Sequence, residues 1–394
     1  MIEFSPPDIT EKEIEEVCGV LRSGWITTGA KTAGFEEKIA AYIGCSRGVC
    51  TSSATAALEL VLQRLGIGRG DEVIIPAYTY TATAAAVLHT GAVPVIADVG
   101  ENGYNITAES IADLLTERTA AVIAVDIGGV MCDYSALRKI LVQNRVQNAK
   151  NNDIMELYGR PILIADGAHS FGSASDGKIS GNGADITCFS FHAVKNLTTA
   201  EGGCIVWREK ENLDSEKLRR ELKTMSLHGQ TKDAGEKSAL GGWEYDILLP
   251  GWKCNMTDIQ AAIGIAQLER YGEMLQKRKK ICQIYDSVFA GRVETLPHSG
   301  ENFESNRHLY MVNVGGDEAR RNGIVQAMAE RGVCCNVHFK PLPLLTAYKN
   351  LGFSEDACPN AIRRYCGEIS LPIHGKMTEE DAQYVAETLL DCLK

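Results

Sequence analysis

No C-x-x-C pair occurs in the chain, and its thirteen cysteines are odd in number with only Cys334 and Cys335 adjacent. That spacing encodes neither a paired disulfide framework nor a zinc ribbon, so the expectation is reduced, mostly buried thiols and no metal. Positive charge is also short. Forty Lys and Arg stand against 51 Asp and Glu, a net charge of -11, which repels phosphate backbones and argues against general nucleic-acid binding. The opening MIEFSPPDITEKEIEE lacks the basic and apolar segments of a leader, so a cytoplasmic protein is expected. The uncharged stretch from 73 to 97 could span a membrane by length alone, yet Pro76, His89 and Pro94 interrupt it, and no membrane span is expected. No internal repeat or low-complexity tract is present.

What is present is an ordinary soluble composition. The 394 residues, 45% apolar and 23% charged, fit two or three compact units with a substantial core. Thr10 and Glu13 form a capping-box pattern ahead of an amphipathic helix that Gly24 stops. Helical stretches (Ala54 to Leu65, Thr81 to Leu88, Ala108 to Leu115) then alternate with apolar runs (Glu72 to Pro76, Pro94 to Ala97, Ala121 to Asp126). Further strands are expected at Pro161 to Ala165, Asp185 to Phe191 and Cys204 to Val206. This alternation predicts an α/β fold with a mainly parallel sheet flanked by helices. After Gly251 a long helix, Thr257 to about Tyr285, leads into a mixed region. We therefore expect a large domain over 1–250 and a smaller C-terminal α+β domain over 251–394, with Gln143 to Asp153 as a surface extension.

Ligands of open α/β sheets sit beyond the carboxyl ends of the strands, so polar residues there are the candidates. Four groups qualify. Thr51-Ser52-Ser53-Ala54-Thr55 opens a helix, where free N–H groups favour phosphate, although Ser and Thr also cap helices with no ligand. Asp166-Gly167-Ala168-His169 places a carboxylate at a strand end, able to hold a pyridinium nitrogen protonated or merely to cap a turn. Phe189 to Lys195 follows a strand and offers a lysine that desolvation could render nucleophilic, or an ordinary exposed one. Tyr78-Thr79-Tyr80 could stack on a heterocycle or pack in the core. Together the four describe a site for a phosphorylated aromatic aldehyde, and pyridoxal 5'-phosphate fits.

At these residues the chain resembles the pyridoxal-phosphate-dependent nucleotide-sugar aminotransferases of the DegT/StrS type, which have fold type I. The matching stretches include TSSATAALELVL (51 to 62), DGAHSFG (166 to 172), FSFHAVKNLTTAEGG (189 to 203), PGWKCNMTDIQAAIGIAQLER (250 to 270) and VHFKPLP (337 to 343). The resemblance implies that Lys195 holds the cofactor covalently and shuttles the proton, and that Asp166 faces the pyridine nitrogen. It implies His169 near the phenolic oxygen, Tyr80 over the ring, and Ser53, Ala54 and Ser190 at the phosphate. The family completes its site across a homodimer interface through a segment usually reading G-Y-N-Y-R-M. Here Gly-Trp-Lys-Cys-Asn-Met (251 to 256) stands in its place, which leaves Lys253 and Asn255 as alternatives for reaching the neighbour's phosphate.

The implied reaction moves an amino group from L-glutamate to a keto group of a nucleotide-linked, typically 4-keto-6-deoxy, sugar for cell-surface polysaccharide or glycan biosynthesis. The dehydratase branch of the family replaces the lysine by histidine, so Lys195 favours amination. Other fold-type-I chemistry, a lyase or desulfurase, and a non-catalytic regulatory member remain open alternatives at this point. Trp25, Thr27, His338 and the loop around Trp243 and Tyr245 are candidate sugar contacts.

Overall fold

The computed structural model describes residues 1–144, 152–232 and 243–394. Of the expected extension from Gln143 to Asp153, residues 145–151 lie outside the described residues, and Asn152 caps the short helix Asp153–Tyr158. The strands in chain order are β1 (Gly48–Thr51), β2 (Glu72–Pro76), β3 (Val93–Ala97), β4 (Thr119–Val125), β5 (Ile162–Asp166), β6 (Ala174–Ser175), β7 (Lys178–Ile179), β8 (Ile186–Ser190) and β9 (Gly203–Trp207). Seven of them form the main sheet in the order β1-β9-β8-β5-β4-β2-β3. The pairs from β3 through β2, β4 and β5 to β8 are parallel, and β9 is antiparallel to both neighbours. The α/β class expected from the alternation of strands and helices is what the chain adopts.

Physical reasons follow from the residues. β2, β4 and β5 are buried along their whole length, as near-continuous runs such as TAAVIAV must be when helices cover both faces. Strand register then gathers the polar ends: Val125 pairs with Asp166, and Asp166 with Cys188. Gly203 pairs with Ser190 on one side and Thr51 on the other. Four segments far apart in sequence thus finish on one edge of the sheet.

Helix Glu11–Ser23 carries the expected capping box and ends at Gly24 in the left-handed region (φ 76°), where glycine has no Cβ to clash. Helix Ala30–Ile43 was not foreseen in the sequence; its cap is supplied in trans by Asp258, described below. The helix expected from Thr257 to Tyr285 is two, Asp258–Glu269 and Tyr271–Phe289. Arg270, at φ -107° and ψ 7°, breaks the backbone ladder between them. It pairs with Glu13 at 2.8 Å and Asp8 at 3.1 Å, ion pairs that tie this corner to the opening helix.

A second sheet joins β10 (Glu294–Thr295), β12 (Tyr310–Asn313) and β13 (Glu368–Leu371), all antiparallel. Its core contains Tyr285, Phe289, Tyr310, Met328, Ile369 and Leu389, with Ile2 from the opposite chain end packed against it. The intervening β11 (Phe303–Glu304) pairs instead with β6 of the first half. No helix among the described residues is long and apolar enough to cross a membrane.

Candidate active site

A cavity of about 420 Å³ opens where the parallel strands end, and Ser53, Ala54, Tyr80, Asp166, His169, Ser190 and Lys195 all line it. Seven of the nine residues singled out in the sequence therefore meet at one place. Lys253 and Asn255 do not line it. Lys253 is exposed and its amine contacts Asn255 Oδ1, while Asn255 Nδ2 donates to Thr28 Oγ1 at 2.5 Å. Of the candidate sugar contacts only His338 reaches the cavity. The indole Nε1 of Trp25 donates to the Thr28 carbonyl at 3.1 Å, the Thr27 carbonyl accepts the Asp258 amide, and Trp243 and Tyr245 are exposed.

The helix Ala54–Arg64 points its N-terminus into the cavity. Ser53, the capping residue, accepts the Ala56 N–H at 3.1 Å, whereas no acceptor among the described residues takes the N–H of Ala54 or Thr55. Free N–H groups at a helix start, with two hydroxyl side chains nearby, fit a phosphate. Closeness to β9 keeps this start in place. A Cβ on Gly203 would meet the Ser53 carbonyl carbon at 2.4 Å and the Ala54 nitrogen at 2.6 Å, so only glycine allows the turn to sit there.

Asp166 is buried, and burial raises its carboxyl above the usual range against the hydrogen bonds and the Lys195 charge that lower it. Thr83 Oγ1 donates to it at 2.8 Å and the Ala168 N–H at 3.2 Å. These bonds fix the carboxylate plane at the strand end and suit it to a cationic ring nitrogen. Burial pushes the Lys195 amine down to about 8, opposed by the Asp166 charge. No hydrogen bond ties that amine to a protein group among the described residues, so its lone pair is available to a carbonyl.

Four histidines, His169, His192, His308 and His338, line the cavity with this lysine. His169 is held well below its ordinary range by burial first, then by the charges of Lys195 and His338. The Gly128 N–H donates to its Nδ1 at 3.3 Å, which places the ring proton on Nε2 and makes that nitrogen a donor. His308 packs on His169 with ring centroids 4.4 Å apart, and Phe339 stacks at 5.7 Å. Tyr80 is 62% exposed and lies 6.0 Å from the Phe339 ring, so one aromatic face at the mouth is free to cover a flat ligand.

Sequence reasoning missed Thr83, His308 and Phe339. Thr83 carried a signal, since it lies three residues after Tyr80 and shares its helical face. Phe339 lay in the matching stretch VHFKPLP (337 to 343) but was given no role, and His308 carried no signal, because only the tertiary fold brings the C-terminal half to this strand edge. No group of three or more His, Cys, Asp or Glu able to hold a metal occurs among the described residues.

The sequence matches the DegT/DnrJ/EryC1/StrS aminotransferase family over residues 7–390. A solved structure of a putative sugar aminotransferase, Spr1654 from Streptococcus pneumoniae in its PMP form, is 47% identical over all of this chain and 99% of its own, with a TM-score of 0.97. The same protein in its PLP form gives a TM-score of 0.96 at 45% identity, covering 100% of this chain and 98% of that one. The spore coat polysaccharide biosynthesis protein SpsC of Bacillus subtilis is 35% identical over 99% of this chain and 97% of its own length. Helicobacter pylori PseC, an aminotransferase of pseudoaminic acid biosynthesis, has 26% identity and a TM-score of 0.86, covering 100% of this chain and 99% of that one. This chain belongs to the DegT/DnrJ/EryC1/StrS aminotransferase family.

Proposed function

We propose that the protein is a cytoplasmic, pyridoxal-phosphate-dependent aminotransferase that carries the amino group of L-glutamate to the keto group of a nucleotide-linked 4-keto-6-deoxy sugar, on a path to cell-surface polysaccharide. The observation that carries this reading is the meeting of Lys195 and Asp166 on one cavity, in a chain of an aminotransferase family. The Streptococcus pneumoniae relative in both cofactor forms and the polysaccharide role named for the Bacillus subtilis relative support it. The desulfurase alternative needs a thiol at the cavity, and no cysteine lines it among the described residues.

In this reading the free N–H groups of Ala54 and Thr55, with Ser53 and Ser190, hold the cofactor phosphate. Asp166 faces the ring nitrogen, His169 Nε2 donates to the phenolic oxygen, and Tyr80 covers the ring. When bound, the cofactor supplies a carbonyl for amine capture and an electron sink. With the cofactor in place, Lys195 Nζ would take up the proton from the donor carbon that carries the amine and hold it for return, a task for which a pKa near the working pH is suited. His338 contacts the sugar from the C-terminal side. A homodimer places Lys253 or Asn255 at the neighbouring phosphate.

Absorbance of the purified protein tests the reading. With added cofactor we expect a visible band that excess L-glutamate bleaches, that a nucleotide-linked keto sugar restores, and that is missing in Lys195→Ala. A colourless protein, or one indifferent to glutamate, defeats the proposal. A panel of keto sugars assayed for glutamate-dependent amination then names the acceptor.

A further inference from the structure

One buried acid beside the cavity has no part in the chemistry assigned to Lys195. Glu368, the first residue of β13, is wholly buried (0% exposed), yet the nearby Arg321 directs its guanidinium to Glu318, Asn322 and the Tyr365 and Glu368 carbonyls, with no ion pair to the Glu368 carboxyl. Both carboxyl oxygens are engaged elsewhere. Oε2 accepts the backbone N–H of His338 at 2.8 Å, and Oε1 lies 2.6 Å from Ser370 Oγ. Ser370 Oγ lies in turn 2.9 Å from His338 Nδ1.

Alternation along β13 is what allows this. Glu368 and Ser370 are two residues apart and project to the same face, so one short strand presents the carboxyl to the His338 backbone N–H and the hydroxyl to its ring. The backbones are joined as well, since the amides and carbonyls of Asn336 and Ser370 bond reciprocally at 3.0 and 2.8 Å. Tyr78 OH donates to the His338 carbonyl at 2.6 Å, and Phe4 stacks on the ring at 5.4 Å. His338 lines the cavity with Lys195, and its Nε2 has no protein partner among the described residues.

We propose that Glu368 and Ser370 are positioning residues for His338: the chain Glu368, Ser370, His338 Nδ1 selects which ring nitrogen carries the proton, and so decides whether Nε2 meets an oxygen of the substrate as donor or acceptor. The identity of that substrate rests on the aminotransferase reading; the proton chain does not. With Glu368 protonated, Oε1–H donates to Ser370 Oγ, the Ser370 hydroxyl donates to Nδ1, and the ring proton sits on Nε2. With Glu368 ionised, Ser370 donates to Oε1, its oxygen accepts from Nδ1–H, and Nε2 bears a lone pair. Glu368 then releases one proton to solvent and the ring proton moves from Nε2 to Nδ1.

The protonated arrangement holds at neutral pH. Burial pushes the Glu368 carboxyl up to about 8, against the hydrogen bonds and the Arg321 charge, while Tyr78, Tyr104 and Cys335 face it as acids that ionise only at higher pH. Burial, then the Lys195 charge, holds His338 down to about 3, so its ring stays neutral throughout. Below about pH 8 Nε2–H therefore donates to an oxygen that can only accept, the keto oxygen of the sugar or a carboxylate of the amino donor.

Two-bond proton–nitrogen NMR of the holoenzyme labelled with ¹⁵N-histidine reads the tautomer directly, with the His338 signal assigned from its loss in His338→Gln. The expected result is an Nε2–H ring at pH 7 that converts to Nδ1–H with a midpoint near 8. Glu368→Gln, whose amide still donates to Ser370, should stay Nε2–H at every pH. Ser370→Ala should uncouple the ring from that midpoint, and Ser370→Thr should restore it. Steady-state kinetics should show the KM of one substrate rising about tenfold above pH 9, the loss expected of one hydrogen bond, with that rise absent in Glu368→Gln. A rise for the sugar assigns the keto oxygen, and a rise for glutamate the carboxylate. An Nδ1–H ring at pH 7 in the unaltered protein, or a tautomer indifferent to pH, overturns the proposal whether or not the variants fold. Tautomer coupling without glutamate-dependent amination would instead keep the proton chain and refute the functional reading.

Discussion

A buried amine beside a single carboxylate titrates according to which of two opposed effects is larger. At Lys195 desolvation outweighs the Asp166 charge and brings the amine to about 8. Roughly a tenth is then unprotonated at pH 7, against well under a thousandth for a surface lysine. Cofactor capture by the apo-protein should accordingly quicken with rising pH and level off above about 8, as stopped-flow absorbance can follow. Asp166→Asn separates the two roles of the acid. Removing its charge removes what raises the lysine, so the pH limb should move below that of the unaltered protein. Losing the ring-nitrogen partner should at the same time lower kcat by about 10²- to 10⁴-fold. A limb that moved upward instead would mean that the Asp166 charge is not what raises the Lys195 amine.

Two contacts decide whether the elements around the site stay assembled. Asp258, at the start of its helix, accepts the N–H groups of Gly29 at 2.8 Å, Lys31 at 3.1 Å and Thr32 at 2.9 Å, and the Thr32 hydroxyl at 2.7 Å. One carboxylate thus satisfies the first turn of helix Ala30–Ile43 from far along the chain. Asp258→Ala leaves the part-buried Gly29 and Lys31 amides and the buried Thr32 donors without this acceptor and should cost about 3 kcal/mol, visible as a lowered midpoint in urea unfolding. Gly203→Ala should act on function more selectively. Its new Cβ would push the Ser53–Ala54 turn away, so we expect about 1–3 kcal/mol of lost stability together with weaker cofactor binding, measured by fluorescence titration. Unchanged cofactor affinity would show that this turn does not grip the phosphate. The same contacts mark what was legible. Six of the seven main-sheet strands were readable because short β-branched runs leave an apolar trace, whereas β1, four residues long, and the strands of the two small sheets were not. Asp166, Ser190 and Lys195 were readable because polar residues follow such runs. Helix Ala30–Ile43 was not, for although Phe35, Ile39 and Ile43 lie on one buried stripe, its cap is non-local. The break at Arg270 has only Gly272, two residues on inside the next helix, to announce it, and the partners of Arg270 lie at the chain's other end.

At the scale of the whole molecule the cavity is open at the mouth where Tyr80 stands. Tyr80 is 62% exposed at its mouth, and Trp243, Tyr245, Ile247 and Leu248 of one loop are 78%, 49%, 46% and 64% exposed. Apolar side chains grouped in this way are what the proposed homodimer would cover. An isologous homodimer covers such a patch with its own copy and would bring the exposed Lys253 and its neighbour Asn255 to the other subunit's site, a relation that no single subunit reveals. Complementation tests this without knowledge of the sugar. Lys195→Ala lacks the amine, and the double variant Lys253→Ala, Asn255→Ala lacks the groups offered across the interface; each homodimer should be nearly inactive in glutamate-dependent bleaching. When equal amounts are unfolded together and refolded, half of the dimers are mixed. In each mixed dimer one site combines both defects and the other has neither, so about a quarter of the normal activity should return. A mixture as inactive as its parents would mean that Lys253 and Asn255 serve the subunit that carries them.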